Sequence, residues 1–208
     1  MKQFSITILF MTLTMVLNAQ DFHFGVTVGP TYGIMKANYD EDDSGEYVLG
    51  FHIGAFAELP LADKISLRPE LKYQTSGVKH KPYEMTFGAR TKSSYIMLPI
   101  MAEYALTEKL KVGLGPYFAV MLSLKDKALP NDEVDYDYDN NIFDYVDESM
   151  HFKKLDLGIG AGLSYQIVPK IGVNIRYSLG LSNTLKDAYD DSKIHNRFFS
   201  LGVSYSIR

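Results

Sequence analysis

Apolar and polar residues alternate along this chain in eight separate runs, and a period of two is the signature of a β-strand with one apolar and one polar face. In the first run Phe22, Phe24, Val26 and Val28 stand against His23, Gly25, Thr27 and Gly29. In the second, Leu49, Phe51, Ile53, Ala55, Ala57 and Leu59 stand against Gly50, His52, Gly54, Phe56 and Glu58. The third sets Ile65, Leu67, Leu71 and Tyr73 against Ser66, Arg68, Glu70, Lys72 and Gln74, so that all its charges share one parity. The fourth opposes Ile96, Leu98, Ile100, Ala102 and Tyr104 to Tyr95, Met97, Pro99, Met101 and Glu103, a weaker contrast in which Glu103 marks the polar side. Val112, Leu114, Pro116, Phe118, Val120 and Leu122 form the apolar row of the fifth, opposite Lys111, Gly113, Gly115, Tyr117, Ala119, Met121 and Ser123. The sixth is the clearest, with Leu155, Leu157, Ile159, Ala161, Leu163 and Tyr165 against Asp156, Gly158, Gly160, Gly162, Ser164 and Gln166. Ile171, Val173, Ile175, Tyr177 and Leu179 then oppose Gly172, Asn174, Arg176, Ser178 and Gly180, and Phe199, Leu201, Val203, Tyr205 and Ile207 oppose Phe198, Ser200, Gly202, Ser204 and Ser206.

The connections alternate too. Those over about 36–46, 76–94, 125–151 and 182–196 are long, polar and acidic, whereas 60–64, 107–109 and 167–170 are short enough for hairpins. Long loops outside and tight turns in the periplasm give this rhythm. Alternation alone does not say which row faces outward, because a secreted soluble carrier of the lipocalin kind shows the same period with its apolar row around a ligand. Residue size favours the membrane reading: an eight-stranded barrel is just wide enough to be filled by side chains, which suits rows of Gly and Ser with a few long charges. Runs of about 9 to 12 residues also match a tilted bilayer crossing. The chain has no Trp, removing the usual aromatic floor of a lipocalin-like pocket. The expected fold is therefore all-β, an eight-stranded antiparallel up-and-down transmembrane β-barrel. Tyr47, Tyr73, Tyr95, Tyr104, Tyr165 and Phe199, near the run ends, are expected at the two membrane interfaces.

Residues 1–19 read as a cleaved secretory signal peptide, with Lys2 as the charged start, an apolar stretch from Phe4 to Leu17, and a cut after Ala19. The barrel domain is then 20–208. No Cys occurs, which excludes disulfides, thiol catalysis and a cysteine-linked lipid anchor. The formal charge is −4, an acidic balance that argues against a nucleic-acid partner. The acids concentrate in one place: the link over 125–151 carries Asp126, Asp132, Glu133, Asp135, Asp137, Asp139, Asp144, Asp147 and Glu148 against Lys125 and Lys127.

Seven charges carry the inward parity: Arg68, Glu70, Lys72, Glu103, Lys111, Asp156 and Arg176. Counting from the tight turns sets Arg68 near the depth of Glu103, and Glu70 near that of Arg176 across the barrel. The expectation is a lumen salt-bridge network acting as a plug, with a gated path for ions or small solutes as its rival. In the acidic link, Asp137, Asp139, Asn141 and Glu148 fall at the first, third, fifth and twelfth positions of a calcium loop, although Ile142 stands where the sixth-position Gly belongs. Divalent cations are expected there through that motif or through diffuse attraction; Tyr136, Tyr138, Phe143 and Tyr145 make the same stretch suitable for a protein or glycan partner. His23 and His52 share the inward parity on adjacent runs and are candidates for an interior pair. His195, Ser182 and Asp187 share one exterior link and would supply the residue types of a lipid-modifying hydrolase. No phosphate-binding Gly motif is present, since the glycines recur at strand spacing. Neither a cofactor nor an enzymatic activity is expected.

The runs "YIMLPIMAEYAL" (Tyr95 to Leu106), "VGLGPYFAVMLSLK" (Val112 to Lys125), "LDLGIGAGLSY" (Leu155 to Tyr165) and "NIRYSLGLSN" (Asn174 to Asn183) resemble, in order and spacing, the outer-membrane β-barrel domain family abundant in Bacteroidetes and often labelled PorT-like. The resemblance implies a small barrel in the outer membrane of a Gram-negative bacterium, placed in lipid by the barrel insertion machinery and usually of unassigned activity; the PorT-like label invites a secretion-accessory role, with which a purely structural or adhesive barrel competes. One departure concerns the end: such barrels commonly finish on an aromatic residue, and this chain finishes on Ile207 and Arg208.

Overall fold

The computed structural model describes residues 22–37, 45–80, 88–129, 153–184 and 193–207. The leader over 1–19, the calcium-like set Asp137, Asp139, Asn141 and Glu148, and Asp187 lie outside the described residues.

Eight strands close into one barrel in chain order: β1 (His23–Ala37), β2 (Gly45–Ala62), β3 (Ile65–His80), β4 (Gly88–Ala105), β5 (Leu110–Leu129), β6 (Leu155–Val168), β7 (Ile171–Gly180) and β8 (Ile194–Ser206). Every neighbouring pair is antiparallel, and β8 returns to β1 from Gly25↔Ser206 to Ala37↔Ile194, so no edge is left for another chain to extend. The apolar rows lie on the outside of all eight strands. Leu49, Phe51 and Ile53 are exposed while His52 between them is buried, and Leu155 and Leu157 flank the buried Asp156 in the same way. For a soluble carrier the burial would be reversed. A wall of exposed Leu, Ile, Val and Phe has no cover in water, and lipid supplies it.

The strands are longer than their apolar rows. β2 continues to Ala62, leaving a turn at Asp63 and Lys64, and the third tight turn contracts to Pro169 and Lys170. At the other end β3 reaches His80 and β4 begins at Gly88, so the expected link over 76–94 is shorter than the hydrophobic pattern suggests, and β5 runs to Leu129, into the start of the one expected over 125–151. Backbone pairing continues there through His80↔Ala89 and Gly88↔Leu129. Outside lipid a strand needs no apolar row, and the alternation disappears while the ladder persists. The ten residues of β7, by contrast, are about the length of a single tilted bilayer crossing.

A bulge between Ser94 and Tyr95 shifts the register of β4 on β5, from Tyr95↔Met121 to Ser94↔Ser123. One extra residue turns the rest of β5 over, and Leu124 packs inward against the lumen cluster.

Candidate functional site

The interior of the barrel holds the polar parity of all eight strands and divides into tiers, counted here from the tight-turn end. In the first, the Lys111 ammonium on β5 donates to Glu58 Oε1 on β2 across the lumen. Glu58 was visible as a polar-row residue, but parity cannot show which residue faces it across a closed barrel. In the second tier Arg68 Nη1 lies 3.9 Å from Glu103 Oε1, Ser164 Oγ donates to the same oxygen at 3.2 Å, and the guanidinium sits 3.7 Å from the centroid of the Phe56 ring. Glu103 pairs opposite Ser66 and Arg68 opposite Met101, so the two charges meet diagonally. A Cβ at Gly25 would overlap the Phe56 ring, so the missing side chain makes the socket for this stack.

The third tier is a direct bond across the barrel: Arg176 Nη1 on β7 donates to Glu70 Oε2 on β3 at 3.1 Å, both side chains almost fully buried. Lys72 is also buried, two residues further along β3; among the described residues no carboxylate lies within 4.0 Å of it. His52 follows, its Nδ1 3.2 Å from Thr31 Oγ1. His23 does not join it. His23 pairs with Glu58 and His52 with Gly29, which separates them by six steps of β2, about 20 Å.

Above the charges the lumen turns aromatic. Tyr95 and Met97 from β4, Tyr117, Ala119 and Met121 from β5, and Phe198 from β8 form one buried cluster, with the Tyr95 and Phe198 rings edge to face at 5.4 Å. Tyr95 is fully enclosed, which corrects its expected interface position: its parity places it in the lumen despite its nearness to a strand end. Tyr104, Tyr165 and Phe199 do face outward, as does Tyr73, which packs on Phe51. Gly158 leaves room for the Tyr117 ring, which a Cβ there would strike.

Asp156 closes this upper tier, held by neutral donors. Tyr117 Oη donates to Oδ2 at 3.0 Å, Asn196 Nδ2 to Oδ2 at 2.9 Å, and Ser182 Oγ to Oδ1 at 2.6 Å. One carboxylate thus ties β5, β6, β8 and the segment after β7. The Ser182 hydroxyl donates to Asp156 and also accepts from the Leu157 amide at 3.0 Å, while Asp187, the third residue of the expected hydrolase set, lies outside the described residues. Among the described residues no group of three His, Asp or Glu side chains is placed to hold a metal ion.

The sequence itself places such a barrel in a family: the model described as outer membrane protein beta-barrel domain matches residues 18–186. The chain belongs to that family. Its solved relatives in shape include Neisserial surface protein A, at 15% identity over 88% of this chain and 96% of that one, with a TM-score of 0.51. The attachment invasion locus protein Ail of Yersinia pestis aligns at 11% identity over 89% of this chain and 99% of its own, TM-score 0.46. OprG from Pseudomonas aeruginosa aligns at 12% identity over 91% and 97%, TM-score 0.45. At such identities the likeness is one of fold. No curated protein matches the chain. The family and the lipid-facing wall together put this barrel in the outer membrane.

Proposed function

We propose that this outer-membrane barrel is a sealed scaffold with a structural or adhesive role, displaying its long links outside the cell, and that it performs no catalysis. The observation that carries this reading is the filled lumen: Tyr95, Met97 and Tyr117 wholly enclosed at the upper level, and Arg176 bonded to Glu70 across the lower one. Side chains fill the bore of an eight-stranded barrel, and here they are also bonded to one another. The seven inward charges serve as the plug that holds the wall closed, with Glu58 as an eighth. The acidic segment containing Asp137, Asp139, Asn141 and Glu148 supplies the outward surface, where divalent cations gather.

Finer readings rest on the leader pattern and on the resemblance of the strand motifs. The barrel is exported by a signal peptide cleaved after Ala19, is inserted by the barrel insertion machinery, and falls in the PorT-like branch found in Bacteroidetes, which makes a secretion-accessory role the second reading. The test of the main reading is conductance in planar bilayers. A sealed scaffold inserts without raising the current, and discrete steady steps with the native chain overturn it. N-terminal sequencing of protein recovered from outer membranes checks the cleavage site.

A further inference from the structure

The outer rim of the barrel is uneven. β1 to β5 continue further toward the long links, whereas β7 ends at Gly180 and β6 begins at Leu155, so the wall is lowest around β6 and β7. A cavity of about 590 Å³ opens there, lined by Lys153, Lys154, Leu155, Leu157, Ser182 and Asn183. That volume suits a headgroup or a small ligand. Its polar atoms are unequally available. Ser182 Oγ is held by Asp156 and the Leu157 amide, and Asn183 Oδ1 accepts from the Ile194 amide at 3.0 Å. The two lysines are exposed, and among the described residues neither ammonium has a carboxylate within 4.0 Å. Their backbones are fixed, since the Lys153 amide donates to Thr184 O and the Met121 amide to Lys154 O, both at 2.7 Å. Directly below, on the lipid side, Leu155, Leu157 and Leu181 are 52%, 40% and 63% exposed.

We infer that this notch binds a phosphorylated lipid of the outer leaflet, its phosphate between Lys153 and Lys154 and its acyl chains on Leu155, Leu157 and Leu181. Two cations above an apolar floor complement a ligand anionic at one end and hydrocarbon at the other. Lys153 and Lys154 immediately precede β6, and a third cation, Arg197, stands on β8 opposite Leu179 of β7, outward by parity and about two strand spacings from β6. The inference rests on the membrane reading.

The test uses the full chain without its leader, refolded in detergent, with lipid A as the phosphorylated probe, phosphatidylcholine as the neutral lipid, and inorganic phosphate as the free anion. Native mass spectrometry counts lipid retained by the native chain, by Lys153→Gln/Lys154→Gln, and by a control, Lys109→Gln/Lys170→Gln, at the tight turns. Heat-modifiable gel mobility establishes that each has folded. The expected result is retention of lipid A in preference to phosphatidylcholine, weakened roughly tenfold or more by the rim pair and unchanged by the control. Equal retention by the rim variant, or equal retention of both lipids, overturns the site. Full displacement of lipid A by millimolar phosphate overturns the lipid assignment in favour of a bare anion site. A chain that folds as a monodisperse β protein in plain buffer instead overturns the membrane reading itself, an outcome distinct from a detergent-folded barrel that retains no lipid.

Discussion

The lower and upper halves of the lumen solve the same problem with opposite chemistry. Near the tight turns, long charged side chains from opposite walls bond across the bore, as Arg176 does to Glu70. Near the long links, rings and thioethers fill the space by contact, and the Asp156 carboxylate is satisfied by hydroxyl and amide donors. The difference teaches that a filled barrel need not be a polar barrel. Charge pairs hold particular strands together, whereas the aromatic cluster blocks the bore by its volume.

The largest effect is expected where a buried ion loses its partner. Arg176→Met leaves the Glu70 carboxylate stranded and should cost about 3–5 kcal/mol, read as a lower denaturant midpoint for loss of the compact gel species in vesicles. Adding Glu70→Gln should recover a large part of that loss, and an unchanged midpoint for the single variant would remove the charge ladder from the account. Next comes the aromatic plug. Phe198→Ala empties the space beside Tyr95 and should cost roughly 3 kcal/mol. Combined with Tyr95→Ala it should also raise conductance, which Arg176→Met should not. Matching conductances for the two would erase the division of labour between the halves.

Asp156→Asn keeps the shape but removes the charged acceptor, with an expected loss of roughly 1–3 kcal/mol; a loss as large as that of Arg176→Met would mean that the upper half is also held by charge. The smallest effect is expected at the rim of the lower half. Lys111 and Glu58 are 28% and 20% exposed, so Lys111→Met should move the midpoint by no more than about 1 kcal/mol. A larger shift would show that the ladder does not strengthen with depth.

The two halves were also unequally legible. Arg68, Glu70, Glu103 and Arg176 stand out in any reading of the pattern, because a charge on the row opposite lipid has only the interior to occupy. Tyr95, Met97, Tyr117 and Phe198 share that parity and give no such signal, since an aromatic residue is at home in lipid, at an interface or in a core. Tyr95 was accordingly expected at an interface, and it lies in the bore because parity prevails over nearness to a strand end. The Gly-rich rows looked like an interior of small residues; at Gly25 and Gly158 the missing side chains are instead sockets for Phe56 and Tyr117.

What the sequence determined by itself is the number of strands, their order, and which face of each meets lipid, because a period of two and a tight turn are local properties written within a few residues. Tertiary structure alone decided the partners: Lys111 with Glu58, Asp156 with Tyr117 and Asn196, His52 far from His23. Closure sets those, since the stagger of eight strands fixes which depths coincide across the bore. A run of residues carries its own alternation but not the depth of the strand that will face it.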